Sequence, residues 1–227
     1  MKQRNGVLTA YYAYTDALDD DKVFAKYYDA ASPERREKVD RYRFRKDKNL
    51  SLAAETLLRY ALTRAGTASD RLEYEYEEHG RPRLKGDENV HFSLTHSGRV
   101  AACIVADRPV GIDVETIKES DITLAERFFA PAEYGILAAT EDKTVRDELF
   151  TRLWTLKESY LKETGLGLSC PLNSFAVSLD SCKLPLRLEG DSDYAFFDTA
   201  LAGEYRLAVC TRDENIREVV FEEVDVV

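Results

Sequence analysis

Two carboxylates stand two residues apart in Val110-Gly111-Ile112-Asp113-Val114-Glu115, a segment whose β-branched content predicts a strand. Strand geometry puts Asp113 and Glu115 on one face, about 6–7 Å apart, with Ile112 and Val114 on the other. Carboxylates so placed repel, so one must take a proton or a cation must sit between them. Oxygen donors without His or Cys suit Mg²⁺, with Mn²⁺ as a close substitute. An isolated Asp-x-Glu is usually a solvated strand face, so the pair needs company. Trp154-Thr155-Leu156-Lys157-Glu158-Ser159-Tyr160-Leu161-Lys162 offers it. Helical spacing lines up Trp154, Glu158, Leu161 and Lys162 on one side. Glu158 is a candidate third ligand and Lys162 a candidate partner for a phosphate. Read alone, the segment is an ordinary i,i+4 Glu158–Lys162 ion pair beside a core Trp.

Two further segments could handle anions. Phe92-Ser93-Leu94-Thr95-His96-Ser97-Gly98 ends a strand in a polar turn, where hydroxyls, an imidazole and free N–H groups suit phosphate oxygens. Gly80-Arg81-Pro82 adds one cation on a constrained turn. Residues 35–48 hold eight basic side chains (Arg35, Arg36, Lys38, Arg41, Arg43, Arg45, Lys46 and Lys48) against Glu37, Asp40 and Asp47. That local excess of five positive charges sits on a chain of net charge −10. The balance excludes general nucleic-acid binding and leaves a specific anionic ligand, or a solvated helix face with pairs such as Glu37–Arg41. Nothing marks an acid partner or a nucleophile elbow for His96, so a hydrolytic triad is not indicated. The three histidines and four cysteines lack zinc-site spacing; Cys103 and Cys210 read as small buried hydrophobes of a reducing compartment.

The elements that must hold these groups follow from periodicity. The 227 residues allow one large or two small domains, and no apolar run is long enough to span a bilayer. The polar start, Met1 to Gly6, lacks the apolar stretch of a signal peptide, so a cytoplasmic chain beginning at Met1 is expected. Val7 to Tyr14 reads as a strand. Ser32-Pro33-Glu34 is a helix start, with Ser as N-cap and Pro at the first helical position. The helical pattern runs in two pieces to about Ala65, its second part carrying Leu50, Ala54, Leu57, Leu58, Ala61 and Leu62 on one face, and Gly66 stops it. Arg71 to Tyr76 alternates, and Val90 to Thr95 with Arg99 to Ala106 predicts a hairpin around Ser97-Gly98. Helical segments are expected over Leu124 to Ala139 and Val145 to Glu163. Strands follow at Phe175 to Leu179, Tyr194 to Phe197, Tyr205 to Cys210 and Val219 to Phe221. The order strand, helices, strands occurs twice, which predicts an α+β fold of two related halves, 1–107 and 108–227.

Taken together, Gly111-Ile112-Asp113-Val114-Glu115 and Trp154-x-x-Lys157-Glu158-Ser159-x-x-Lys162 resemble the paired hallmark of 4′-phosphopantetheinyl transferases. Spacing and length are similar to the single-chain, surfactin-synthetase-activating type. The resemblance spans nearly the whole chain, including Ser32 to Lys38, Gly80-Arg81-Pro82, Phe92 to Ser97 and Gly165-x-Gly167-Leu168-Ser169. It implies two α+β halves about a pseudo-twofold axis, with coenzyme A between them, in a monomer. It also implies that Arg35 and Lys38 contact the 3′-phosphate of coenzyme A and that Ser51 is a nearby hydroxyl contact. Arg81, Thr95, His96 and Lys162 match further coenzyme A contacts, and Asp113, Glu115 and Glu158 match Mg²⁺ ligands. Ser93, Thr95 and Arg81 stand where relatives commonly have Asn, Ser and Lys, keeping polar or cationic character.

The activity so implied is Mg²⁺-dependent transfer of 4′-phosphopantetheine from coenzyme A to a serine of an apo acyl or peptidyl carrier protein, releasing 3′,5′-ADP. Asp113, Glu158 and Lys162 would be catalytic. Glu158, or a metal-bound water that it holds, is the expected base, and Lys162 steadies the leaving charge. Two rivals use the same residues: a Mg²⁺-dependent coenzyme A pyrophosphatase and a non-catalytic coenzyme A-binding relic. Neither nucleic acid nor membrane is an expected partner. For carrier docking the candidates are the remaining basic window and the Phe128-Phe129 segment, where adjacent residues cannot share one helix face.

Overall fold

In the computed structural model, residues 6–68, 72–179 and 184–225 are described. Strand β1 (Val7–Tyr14) is followed by α1 (Asp21–Ala30), α2 (Pro33–Arg41) and the long α3 (Arg45–Arg64). The expected cap is in place: Ser32 Oγ accepts the Arg35 N–H at 3.1 Å, with Pro33 at the first helical position. No residue of α1 is fully buried, although Val23 and Tyr27 lie half-buried against the core of the first half; the Asp20 side chain caps the helix by accepting two backbone N–H groups. Gly66 ends the α3 turn at φ 75°. A short hairpin, β2 (Tyr74–Tyr76) and β3 (Pro82–Leu84), precedes β4 (His91–Ser97) and β5 (Val100–Ala106). Arg71, the expected start of the first of these, lies outside the described residues.

The second half opens with β6 (Val110–Thr116), then α4 (Ile122–Phe128), α5 (Pro131–Ala139) and α6 (Lys143–Thr164). The helical segment expected over Leu124–Ala139 is broken in two. Pro131 lacks an N–H and forces Ala130 into extended backbone (ψ 151°). Strands β7 (Val177–Ser178), β8 (Leu186–Leu188), β9 (Asp191–Leu201), β10 (Tyr205–Thr211) and β11 (Glu218–Glu223) complete the chain.

The strands form two main sheets, ordered β11-β1-β5-β4 and β6-β10-β9-β8-β7. Within each half the first strand pairs antiparallel with the last of a hairpin, β1 with β5 and β6 with β10. The break expected at 107/108 falls between β5 and β6, while β11 returns to pair in parallel with β1. Helix α3 covers the outer face of the first sheet through Leu57, Leu58 and Leu62, all fully buried. Each contributes about 2 kcal/mol of apolar transfer. Helix α6 covers the second sheet, over Ala208 and Cys210. The inner faces meet in a shared core of Ala102, Ile104, Ile112, Val114, Leu207 and Val209. Cys103 and Cys210 are buried free thiols at equivalent places, on β5 and β10.

Candidate functional site

The sheets abut where β4 lies beside β6, and a cleft of about 580 Å³ opens along that seam. The first half lends it cations. Arg35 and Lys38 reach it from α2, and Arg35 is held rather than floating. Its Nε donates to Glu55 Oε2 at 3.2 Å and its Nη1 to Ser51 Oγ at 3.2 Å. Glu55, 1% exposed, also accepts from the Ser32 N–H and hydroxyl at 2.7 and 2.8 Å and from Arg59. Burial alone would raise the Glu55 pKa, but these hydrogen bonds and the Arg35 charge outweigh it and leave it below the ordinary value. Glu55 is a site residue that sequence reasoning missed. Its signal was helical spacing, four residues after Ser51 and four before Arg59.

The second half lends carboxylates. Asp113 and Glu115 leave β6 on the face beneath α6, and α6 turns Glu158 and Lys162 toward them. Close approach is possible because residue 111 is glycine: a Cβ there would lie 1.9 Å from the Ser159 carbonyl oxygen and 2.5 Å from the Glu163 nitrogen. Lys162 Nζ sits 2.6 Å from Asp113 Oδ1. Burial first, then the Asp113 charge, raises the pKa of both Glu115 and Glu158; Lys162 pulls each the other way. Lys157, adjacent to Glu158, points instead into the core. Fully buried, it donates to Glu133 at 2.7 Å and to the carbonyls of Leu172 and Phe175.

The segment Phe92 to Ser97, expected to end in a polar turn, is strand through Ser97. The hydroxyls of Ser93, Thr95 and Ser97 face β6, although Thr95 also lines the cleft. Thr95 Oγ1 donates to Asp113 Oδ1 and Ser97 Oγ to Glu115 Oε2, each at 2.9 Å. His96, on the alternate face, lines the cleft. Although the ring meets solvent, desolvation by the cleft walls lowers its pKa, and Lys162, Lys38 and Arg35 lower it further, favouring neutral imidazole.

The cleft thus gathers Arg35, Lys38, Thr95, His96 and Lys162 with Asp113, Glu115 and Glu158. Ser51 stands behind Arg35, 1% exposed. Arg81 lines an adjoining cleft, where its Nη1 donates to the Glu163 carbonyl in the last turn of α6 at 2.8 Å. Among the described residues no three His, Cys, Asp or Glu side chains form a ready-made metal cage. The donor set nevertheless fits a hard divalent cation. All three candidate ligands are carboxylates, and Asp113 Oδ2 is buried without a hydrogen-bond partner while Oδ1 takes both Thr95 and Lys162.

Two expectations about partner surfaces change. Phe129 is 2% exposed, packed against Phe150 and Trp154 at ring distances of 5.3 and 6.3 Å, so it offers no docking surface; Phe128 is the half-buried neighbour. Within the basic window, Arg45 is occupied at the start of α3, donating to the Leu18 carbonyl, Asn49 and Asp21 and lying over the Phe24 ring. The Glu37–Arg41 pair forms at 3.5 Å in solvent. No helix among the described residues is long and apolar enough to cross a membrane.

Family models match the chain in two adjoining parts: "4'-phosphopantetheinyl transferase, N-terminal" over residues 20–108 and "4'-phosphopantetheinyl transferase superfamily" over 109–210. A 4'-phosphopantetheinyl transferase of Bacillus subtilis is 37% identical, covering 86% of this chain and 86% of its own. The transferase Sfp of Bacillus subtilis strain 168 is 34% identical over 85% and 89%, and psf-1 of Bacillus pumilus 34% over 88% and 89%.

Proposed function

Since this chain belongs to the 4′-phosphopantetheinyl transferase superfamily, and so moves phosphopantetheine onto carrier proteins, we propose that its donor is coenzyme A and that its acceptor serine reacts in the cleft between halves 1–107 and 108–227. The observation that carries this reading is the polarity of the cleft. Arg35 and Lys38 enter it from the first half, and Asp113, Glu115 and Glu158 with Lys162 enter it from the second. Coenzyme A has a matching charge pattern, a 3′-phosphate remote from a diphosphate. Charge-assisted contacts from Arg35 and Lys38 hold the 3′-phosphate, with Ser51 and Glu55 fixing the guanidinium. His96 and Thr95 line the same cleft.

Asp113, Glu115 and Glu158 would hold Mg²⁺, or Mn²⁺ in its place, which neutralises charge on the diphosphate oxygens when bound. The carrier serine oxygen forms its bond to the β-phosphorus as the bond to the α-phosphate oxygen breaks, and 3′,5′-ADP departs. Glu158 takes the serine proton. The Lys162 ammonium meets the charge gathering on the departing phosphate. Among the comparison sequences and the cleft residues nothing favours plain hydrolysis of coenzyme A or a silent binding role. The enzyme so read acts as a cytoplasmic monomer, its two halves doing what two subunits would.

Incubating the protein with Mg²⁺, coenzyme A and an apo carrier protein, then measuring the intact carrier mass, tests this. A phosphopantetheine adduct with matching 3′,5′-ADP is expected. Coenzyme A cleaved with the carrier unchanged would assign the pyrophosphatase, and neither product would assign the relic.

A further inference from the structure

Strands β4 and β6 lie side by side yet belong to different sheets. The N–H groups that β6 directs at its neighbour therefore need acceptors other than a strand carbonyl. Ile112, Val114 and Thr116 donate instead to side-chain hydroxyls, Ser93 Oγ, Thr95 Oγ1 and Ser97 Oγ, each at 3.2 Å. The period-two hydroxyls of one strand thus match the period-two N–H groups of the other.

A hydroxyl has one hydrogen to give. At the two positions that face a carboxylate, it is given to the residue just before the N–H donor. Thr95 accepts from Val114 and donates to Asp113; Ser97 accepts from Thr116 and donates to Glu115 Oε2 at 2.9 Å. Thr116 Oγ1 also lies 3.3 Å from Ser97 Oγ. At the third position, Ser93, the residue before Ile112 is Gly111 and no carboxylate is present. The seam is the same at all three positions, but only two of them reach a candidate cation ligand.

We propose that Ser97 and Thr95 are positioning residues: each uses its backbone-anchored hydroxyl to fix one oxygen of a metal-binding carboxylate, Ser97 for Glu115 and Thr95 for Asp113, so that the other oxygen is presented to the cation. This rests on the reading of Asp113, Glu115 and Glu158 as ligands given above. Glu115 depends on the arrangement most, because Asp113 Oδ1 is held by Lys162 as well as by Thr95, whereas Glu115 Oε2 is held by Ser97. Partners behind metal ligands typically account for 10–100-fold in metal affinity.

Mn²⁺ binding, followed by the loss of its free-ion electron paramagnetic resonance signal with coenzyme A present, tests the proposal in the intact protein. Ser97→Ala should weaken Mn²⁺ at least tenfold, Thr95→Val likewise, and Ser97→Thr should restore most of the loss. Ser93→Ala removes the same kind of seam hydrogen bond without a carboxylate behind it. It should lower the Tm about as much as Ser97→Ala while leaving Mn²⁺ affinity within twofold. Equal Mn²⁺ affinity in wild type, Ser97→Ala and Ser93→Ala overturns the proposal and leaves the metal reading standing. A wild-type protein that binds no Mn²⁺, indistinguishable from Asp113→Asn, overturns both.

Discussion

The two halves of this molecule are built to one plan and carry opposite cargo. On β1 the residues facing α3 are Tyr11 and Ala13, opposite Cys103 and Ala101 of β5. On β6 the residues facing α6 are Gly111 and Asp113, opposite Cys210 and Ala208 of β10. Register places Tyr11 against Gly111 and Ala13 against Asp113. In the first half the tyrosine ring fills the space under the helix, edge-on to Tyr60 at 5.1 Å. In the second the space is closed by the helix backbone itself, and the room saved at Gly111 lets Asp113 and Glu115 share a pocket with Glu158 and Lys162. Packing in one half is ordinary core. In the other, Asp113 is buried beside two half-buried carboxylates, Glu115 and Glu158, at a cost that stability alone does not explain, which marks a site.

The comparison can be broken most severely at the chemistry. Asp113→Ala or Glu158→Gln should reduce carrier modification by about a thousandfold or more, with the thermal transition retained, since each removes a ligand or base and little core volume. The corresponding Ala13 is already alanine, so the first half shows that this strand position folds without a carboxylate. Rates of holo-carrier formation beside melting curves check both parts.

Packing comes next. Gly111→Ala forces a methyl against backbone, not against a movable side chain, and should destabilise by about 3 kcal/mol, a Tm loss on the order of 10 °C. Calorimetry reads this directly, and an unchanged Tm would mean that α6 can lift off β6 freely.

A smaller effect sharpens the contrast at the helix ends. Near its C-terminus α3 buries Ala61 and Leu62, whereas α6 buries Glu163. Burial pushes the Glu163 carboxyl up to about 7, against the pull of Arg81 and Arg212. With the folded-state pKa raised, its contribution is fully present below about pH 4.5 and is lost as pH rises through 7. Glu163→Gln cannot ionise. It should therefore gain on wild type between pH 5 and pH 8, by on the order of 2–3 kcal/mol, seen as a widening Tm difference.

Much of this was legible in the sequence, for reasons the structure makes plain. Asp113, Glu115, Glu158 and Lys162 each sit on a regular element, so period two and spacing four carried their geometry without tertiary information. The start of α2 was legible because Ser32-Pro33 is a local signal. Helix α1 was passed over, although Val23 and Tyr27 put a half-buried apolar edge against the core, and the break at Pro131 was smoothed over by apolar residues on both sides. The orientation of the β4 hydroxyls was misread. Strand periodicity says that residues 93, 95 and 97 share a face, but only the meeting of two sheets decides that this face looks at β6. Glu55 was passed over, and Lys157 was read only as part of a motif, because a charged residue on a helix is normally solvated and what buries each one comes from a distant segment.

The central claim is that cations of the first half and carboxylates of the second grip different parts of one ligand. Calorimetric binding of coenzyme A and 3′-dephospho-coenzyme A, each with and without Mg²⁺, tests it on wild type, an Arg35→Ala/Lys38→Ala double variant and Asp113→Ala. The double variant should lose tenfold or more for coenzyme A and little for the dephospho form, at either Mg²⁺ level. Asp113→Ala should lose the Mg²⁺-dependent gain for both ligands and keep the preference for the 3′-phosphate. A double variant that weakens both ligands equally, or an Asp113→Ala protein that keeps its full response to Mg²⁺, would contradict the account.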